Sequence, residues 1–161
     1  MKRVPVCLRT VPGVRDLMKM RIVLPEMPPG ASAEGHADWR NSVRKILLGW
    51  RAGLDAGAHA DLSGKIRSHF DNLLTDRTSG TVGFYWPIHN EIDLRPVIGR
   101  HLARGGRAAL PAVPGKAKPL LFRNWTPQTE MRSGYAGIPE PRDGPEVPVD
   151  ILLAPLVGFD A

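Results

Sequence analysis

The strongest constraint on this chain lies between Gly80 and Pro96, where it reads Gly-Thr-Val-Gly-Phe-Tyr-Trp-Pro-Ile-His-Asn-Glu-Ile-Asp-Leu-Arg-Pro. Thr81 to Trp86 is a short apolar, β-rich run closed by Pro87, the pattern of a buried strand. Asp93 can cap a helix, and Pro96 falls in its first turn, where the lost N–H would have had no partner. A buried strand feeding a helix start commits the chain to an α/β layout. In open sheets of that kind, ligands bind at the loop following the strand's C-terminal end. Here that loop carries His89, Asn90 and Glu91. Glu91 either meets the polar edge of a flat ligand, beside Tyr85 and Trp86, or caps the following helix.

The flanking pattern supplies the remaining elements. Asp38 reads as the N-cap of a helix reaching about Leu54, with Val43, Ile46, Leu47, Trp50 and Leu54 on one apolar stripe. Leu62, Ile66, Phe70, Leu73 and Leu74 mark a second helix. A third, from about Leu94 to Ala103, ends at Gly105-Gly106, one of which supplies a left-handed residue. No Gly-x-Gly spacing and no Lys-Ser/Thr follow, so that pair is not a phosphate loop. Arg107 to Val113 completes a β-α-β unit, whose crossover makes its strands parallel.

Leu120 to Trp125 is a further short strand, with Trp125 either a core residue or a stacking platform. Residues 126–148 read as a loop rich in Pro and Gly, and unstructured connections beyond about 12–15 residues are usually functional. Val149 to Pro155, apolar except at Asp150 and Pro155, reads as a last strand buried on both faces. The fold expected is α/β: a three-layer-like single domain over residues 38–161, with a mostly parallel sheet flanked by helices. Residues 1–37 hold five prolines and no sustained period. They read as a disordered or mis-called leader, with Met18, Met20 or Met27 as alternative starts.

Charge narrows the partners. The chain carries +6 overall, unevenly placed. Leu94 to Thr129 holds seven basic residues and no acidic one, whereas 130–161 holds six acids and two bases. In the first helix Arg40, Arg44 and Arg51 fall within about 40° of one another at 100° per residue. Without interleaved carboxylates they form either a phosphate-binding stripe or a solvated basic face. No RNA-binding aromatic signature or zinc-finger spacing accompanies the charge, so no nucleic-acid partner is expected. His59 and His69 lack paired ligand spacing and read as surface residues. The single cysteine, Cys7, excludes an internal disulfide. No apolar run approaches the ~20 residues of a membrane helix, and a soluble cytoplasmic protein is expected.

Several of these pieces fall in a familiar order: Arg40-x-x-x-Arg44 with Arg51; Tyr85-Trp86-Pro87 leading to Glu91-Ile92-Asp93; Leu110-Pro111; Leu121-Phe-Arg-Asn-Trp125; Gly137-Ile-Pro-Glu-Pro141; and Asp150-Ile-Leu-Leu-Ala-Pro155 running into Phe159-Asp160. Over about residues 39 to 161 the chain resembles the 5-formyltetrahydrofolate cyclo-ligases, also called 5,10-methenyltetrahydrofolate synthetases. The resemblance implies a single α/β domain and an ATP- and magnesium-dependent ligase of one-carbon metabolism. ATP phosphorylates the N5-formyl oxygen of 5-formyltetrahydrofolate, and N10 attack closes the ring, releasing ADP and phosphate.

By the same resemblance Arg40, Arg44 and Arg51 lie near the ATP phosphates. Glu91 and Trp86 belong to the folate site, and Trp125, Tyr135, Ile138 and Glu140 to its walls. In the family the chain continues into Gly-x-Arg-Leu-Gly-x-Gly-x-Gly-x-Tyr-Asp-Arg, which cradles phosphates with backbone N–H groups. The present sequence stops at Ala161, so the magnesium ligand is expected beyond it. The 161-residue stretch is then expected to lack turnover, the alternatives being an inactive folate- or nucleotide-binding remnant or a basic interaction module.

Overall fold

The computed structural model describes residues 22–77 and 79–158. It divides into two compact units, up to Ile46 and from Leu47. The reading of residues 1–21 as a leader lies outside the described residues.

Helix α1, Ala33–Ala52, begins five residues before Asp38. The cap is Ser32, whose hydroxyl accepts the Gly35 N–H at 3.2 Å. Asp38 lies inside the helix, where its carbonyl accepts the Ser42 hydroxyl. The helix also stops two residues short of Leu54. In the first unit, Trp39 Nε1 donates to the Pro25 carbonyl at 2.9 Å, tying the incoming segment to the helix.

In the second unit, α2 (Ala56–Thr75) starts at an Asp55 cap whose carboxylate accepts the Ala58 N–H. Of the five apolar positions expected inside, Leu74 is fully buried and Phe70 packs on the core, but Leu73 is 46% exposed.

The sheet is four-stranded, β1 (Thr81–Gly83), β2 (Arg107–Ala112), β3 (Leu121–Asn124) and β6 (Ile151–Leu152), in the order β3-β2-β1-β6. β1 pairs parallel with β2 and with β6, and β3 is antiparallel to β2. Helix α3 (Arg95–Ala103) connects β1 to β2 and packs on α2 and β2, as the β-α-β pattern requires. Gly105, at φ +89°, is the left-handed residue that ends it. The fold is therefore mixed α/β with a mostly parallel sheet. Its core joins Leu74, Val82, Phe84, Leu94, Val97 and Ile98 with Leu110, Trp125 and Leu153.

Two expectations are corrected. The stretch 126–148 is not structureless: β4 (Met131–Ser133) and β5 (Pro139–Pro141) form an antiparallel hairpin around a 3-10 turn at Tyr135–Gly137. Prolines at both ends of β5 hid it, since proline cannot donate to a ladder and tells against a strand. The last strand is not buried on both faces either. Leu153 is 6% exposed and Leu152 is 57% exposed, because side chains alternate across an edge strand.

Candidate functional site

The turn after β1 is strained and tightly held. His89 and Asn90 both take left-handed φ, 47° and 62°, and the turn closes through Glu91 N–H to the Ile88 carbonyl at 2.9 Å. Asn tolerates that region; a histidine there costs about 1–2 kcal/mol. The turn is offset by three tethers. Asn90 Nδ2 donates to the Arg51 carbonyl at the end of α1, at 3.1 Å. His59 Nε2 lies 3.0 Å from the Asn90 carbonyl; since that oxygen only accepts, Nε2 carries the proton. His59 is thus half-buried and engaged, not the free surface residue its spacing suggests.

The third tether is Glu91 itself. Its Oε2 accepts the Ile88 N–H at 3.1 Å, and its Oε1 stands 3.6 Å from Arg51 Nη2, both side chains being mostly buried at 12% and 18% exposure. Glu91 does not cap α3. Asp93 accepts the Arg95 N–H there instead. Burial first, then the Glu91 charge, pushes the Tyr85 hydroxyl up to about 12. It therefore remains a donor, at 2.9 Å, to the Ile92 carbonyl.

Beyond Trp86 a cleft of about 360 Å³ opens at the C-terminal end of β1. Trp86, Trp125, Pro127 and Met131 are its apolar walls. Its polar groups are Asp93, Arg95 and Thr129. Trp125 is at once core and wall: it is 5% exposed and packs edge-on to Phe84 at 5.0 Å. The Arg95 guanidinium lies 4.6 Å over the Trp86 ring. Asp93 fixes it there with Nε at 2.9 Å and Nη2 at 2.8 Å, and this Arg95 fork holds the Asp93 carboxyl below its ordinary range. Sequence reasoning missed Arg95. An Asp two residues before an Arg at a helix start is the available signal, because one side chain then serves both the backbone N–H and the fork.

The structure brings some expected site residues together and separates others. Trp86 and Trp125 share the cleft, and Arg51 meets Glu91. Tyr135, 62% exposed, and half-buried Ile138 belong to the β4–β5 hairpin and do not line the cleft. Glu140 is buried and fully engaged. Oε2 accepts the Val113 N–H at 2.9 Å, and Oε1 accepts Arg132 Nε and Nη2 at 3.0 and 2.8 Å. Burial pushes this carboxyl up, but the Val113 and Arg132 donors outweigh it and hold it below the usual range. A side chain at Gly134 would run into that carboxylate.

Arg40 and Arg44 are exposed on α1, in the first unit. Several arginines of the acid-free basic run at 94–129 find partners outside it. Asp71 takes Arg100 at 2.7 Å and Arg104 at 3.1 Å. Arg123 donates to the Pro141 and Arg142 carbonyls. No three His, Cys, Asp or Glu side chains gather as a metal site among the described residues. No described helix is long and apolar enough to cross a membrane.

Known proteins resemble the chain in both sequence and fold. The family model for the 5-formyltetrahydrofolate cyclo-ligase family matches residues 36–161. The 5-formyltetrahydrofolate cyclo-ligase of Haemophilus influenzae is 30% identical over 127 residues, covering 75% of this chain and 66% of that protein. The enzyme of the same name from Escherichia coli K12 is 37% identical over 86 residues, covering 50% and 47%. Among solved structures, Aquifex aeolicus 5,10-methenyltetrahydrofolate synthetase superposes with a TM-score of 0.62 at 30% identity, covering 73% of this chain and 60% of that one. The chain thus spans about half to just under two thirds of the length of these relatives.

Proposed function

Because the chain belongs to the 5-formyltetrahydrofolate cyclo-ligase family, we propose that it acts in the ATP-dependent conversion of 5-formyltetrahydrofolate to 5,10-methenyltetrahydrofolate. The observation that carries the proposal is the Glu91 carboxylate. It is mostly buried, on a strained turn at the C-terminal end of the central strand, next in sequence to an indole-walled cleft. Bound 5-formyltetrahydrofolate places the N–H edge of its reduced pterin ring on Glu91, a charge-assisted contact. Trp86 and Trp125 exclude water, which protects the phosphorylated formyl group from hydrolysis before N10 closes the ring.

In this reading the phosphates of ATP face the exposed Arg40 and Arg44, whose planar forks suit phosphate oxygens. Magnesium, when bound, neutralises charge developing on those oxygens. The described residues offer no cluster of His, Cys, Asp or Glu to hold it. The location that fits this chemistry is cytoplasmic, where ATP and reduced folates are substrates, and no protein or nucleic-acid partner is called for.

The test is calorimetric titration of 5-formyltetrahydrofolate and of ATP against the parent and Glu91→Gln. Loss of a charge-assisted hydrogen bond costs about 1.5–3 kcal/mol, so folate affinity is expected to fall roughly 10- to 100-fold with ATP affinity unchanged. Equal folate affinities remove Glu91 from the site.

A further inference from the structure

Arg95 is not among the residues the family resemblance singles out, and its setting is that of a recognition group. Of the five N–H donors of a guanidinium, Asp93 takes one from Nε and one from Nη2. That leaves three, and among the described residues Nη1 has no hydrogen-bond partner. Both Asp93 oxygens are engaged, so the donor capacity still open on this edge of the cleft is cationic. Arg67 lies near enough to stabilise the Asp93 anion as well. Asp93 and Arg95 are the charged groups lining the cleft itself, a pair whose open donors all belong to Arg95. Beside it stand two indoles and a volume of about 360 Å³, within the range of small-molecule sites. Glu91 does not line this cleft. The negative group of the strained turn and the positive group at the helix start are therefore separate recognition elements.

We propose that the Trp86–Trp125–Arg95 cleft receives the aryl-carboxylate end of the substrate, the p-aminobenzoyl-glutamate moiety of the reduced folate, with the free Arg95 N–H groups on a glutamate carboxylate. The inference rests on the folate reading of the site and deepens it. A flat aryl amide packs against the apolar wall that Trp86, Pro127 and Met131 present, and a carboxylate one short arm away reaches a guanidinium already fixed over the Trp86 ring. Asp93 and Trp86 hold that guanidinium in place before the ligand arrives, so little side-chain freedom is lost on binding. Arg95 in this role determines specificity for the acidic tail and takes no part in phosphoryl transfer.

The experiment follows indole fluorescence of the full chain titrated with p-aminobenzoyl-L-glutamate, with p-aminobenzamide, which lacks the carboxylates, and with 5-formyltetrahydrofolate. The parent is expected to prefer the glutamate fragment at least tenfold, and raised salt should shrink the preference. Arg95→Gln should bring the two fragments within about twofold, and Arg95→Lys should restore part of the difference. Equal binding of both fragments to the parent overturns the proposal even where 5-formyltetrahydrofolate binds, and leaves the folate reading standing. Full retention of the preference in Arg95→Gln also overturns it, since cleft shape and not charge would then be responsible. Failure of 5-formyltetrahydrofolate to bind the parent removes both readings.

Discussion

Replacing Glu140 separates a structural carboxylate from a ligand-binding one. In Glu140→Ala the Val113 N–H, now accepting partner gone, loses a charge-assisted bond of 2.9 Å to a side chain only 6% exposed. Such a loss is worth about 1.5–3 kcal/mol. The Arg132 pair adds little, up to about 1 kcal/mol, because Arg132 is 46% exposed and water screens it. Removing a carboxylate from a buried site returns some desolvation energy, which roughly offsets the Arg132 contribution and places the net destabilisation at about 1.5–3 kcal/mol.

For a chain of this size each kcal/mol moves Tm by about 2–4 °C, so a fall of about 3–12 °C is expected. Glu140→Gln keeps an acceptor for Val113 and loses only the charge, about 1 kcal/mol. The folded carboxyl is held below its ordinary value. Its contribution is therefore complete above the unfolded value of about 4.3 and is lost as pH falls through the lower folded value. Urea and thermal denaturation followed by circular dichroism, at pH 7 and in acid, read all of this. An unchanged midpoint in Glu140→Ala, together with weakened folate binding, would refute the reasoning and make Glu140 a pocket group.

Changing Arg40 and Arg44 together to Gln should raise the Kd for ATP, more at low ionic strength; an ATP titration insensitive to both the double change and salt makes the stripe a solvated face. His89→Gly should relieve the left-handed strain at φ 47° and stabilise the fold by roughly 0.5 kcal/mol after the glycine entropy penalty, and a lowered urea midpoint contradicts it. In ultraviolet titration, the difference between the parent and Tyr85→Phe should show the Tyr85 phenol still protonated at pH 11, since its folded value is about 12; ionisation near pH 10 means the hydroxyl is neither buried nor bonded to Ile92.

What could be read from the sequence was chemistry that acts within one turn of chain. The buried strand into the turn and Gly105 after α3 follow from neighbours a few residues apart, and the parallel β1-α3-β2 pairing from the handed crossover that a single helix imposes. Even at that range two good caps compete, and Ser32 starts α1 where Asp38 was expected. Pairing across long separations was not legible. The run of basic residues at 94–129 looks like an anion surface until Asp71, in a different helix, is found between Arg100 and Arg104. Likewise the hairpin hidden at 131–141 is fixed by the ladder to its partner strand and by Glu140 reaching Val113, neither of which leaves a periodic trace.

This bears directly on which acids can serve a ligand, because the sequence presents Glu91 and Glu140 as equals and the fold does not. Glu140 spends both oxygens on three N–H donors, all within 3.0 Å, so a ligand could reach it only by displacing bonds that hold the hairpin to β2. Glu91 spends one oxygen on the Ile88 N–H and leaves the other 3.6 Å from Arg51, beyond hydrogen-bond range. That oxygen keeps its lone pairs for an incoming donor, while the turn stays anchored through Asn90 and the first oxygen. A carboxylate held in place by one atom and open at the other meets both needs of a binding group, preorganisation and residual acceptor capacity. In the proposed reading the substrate contact falls to Glu91, and Glu140 is left to the architecture.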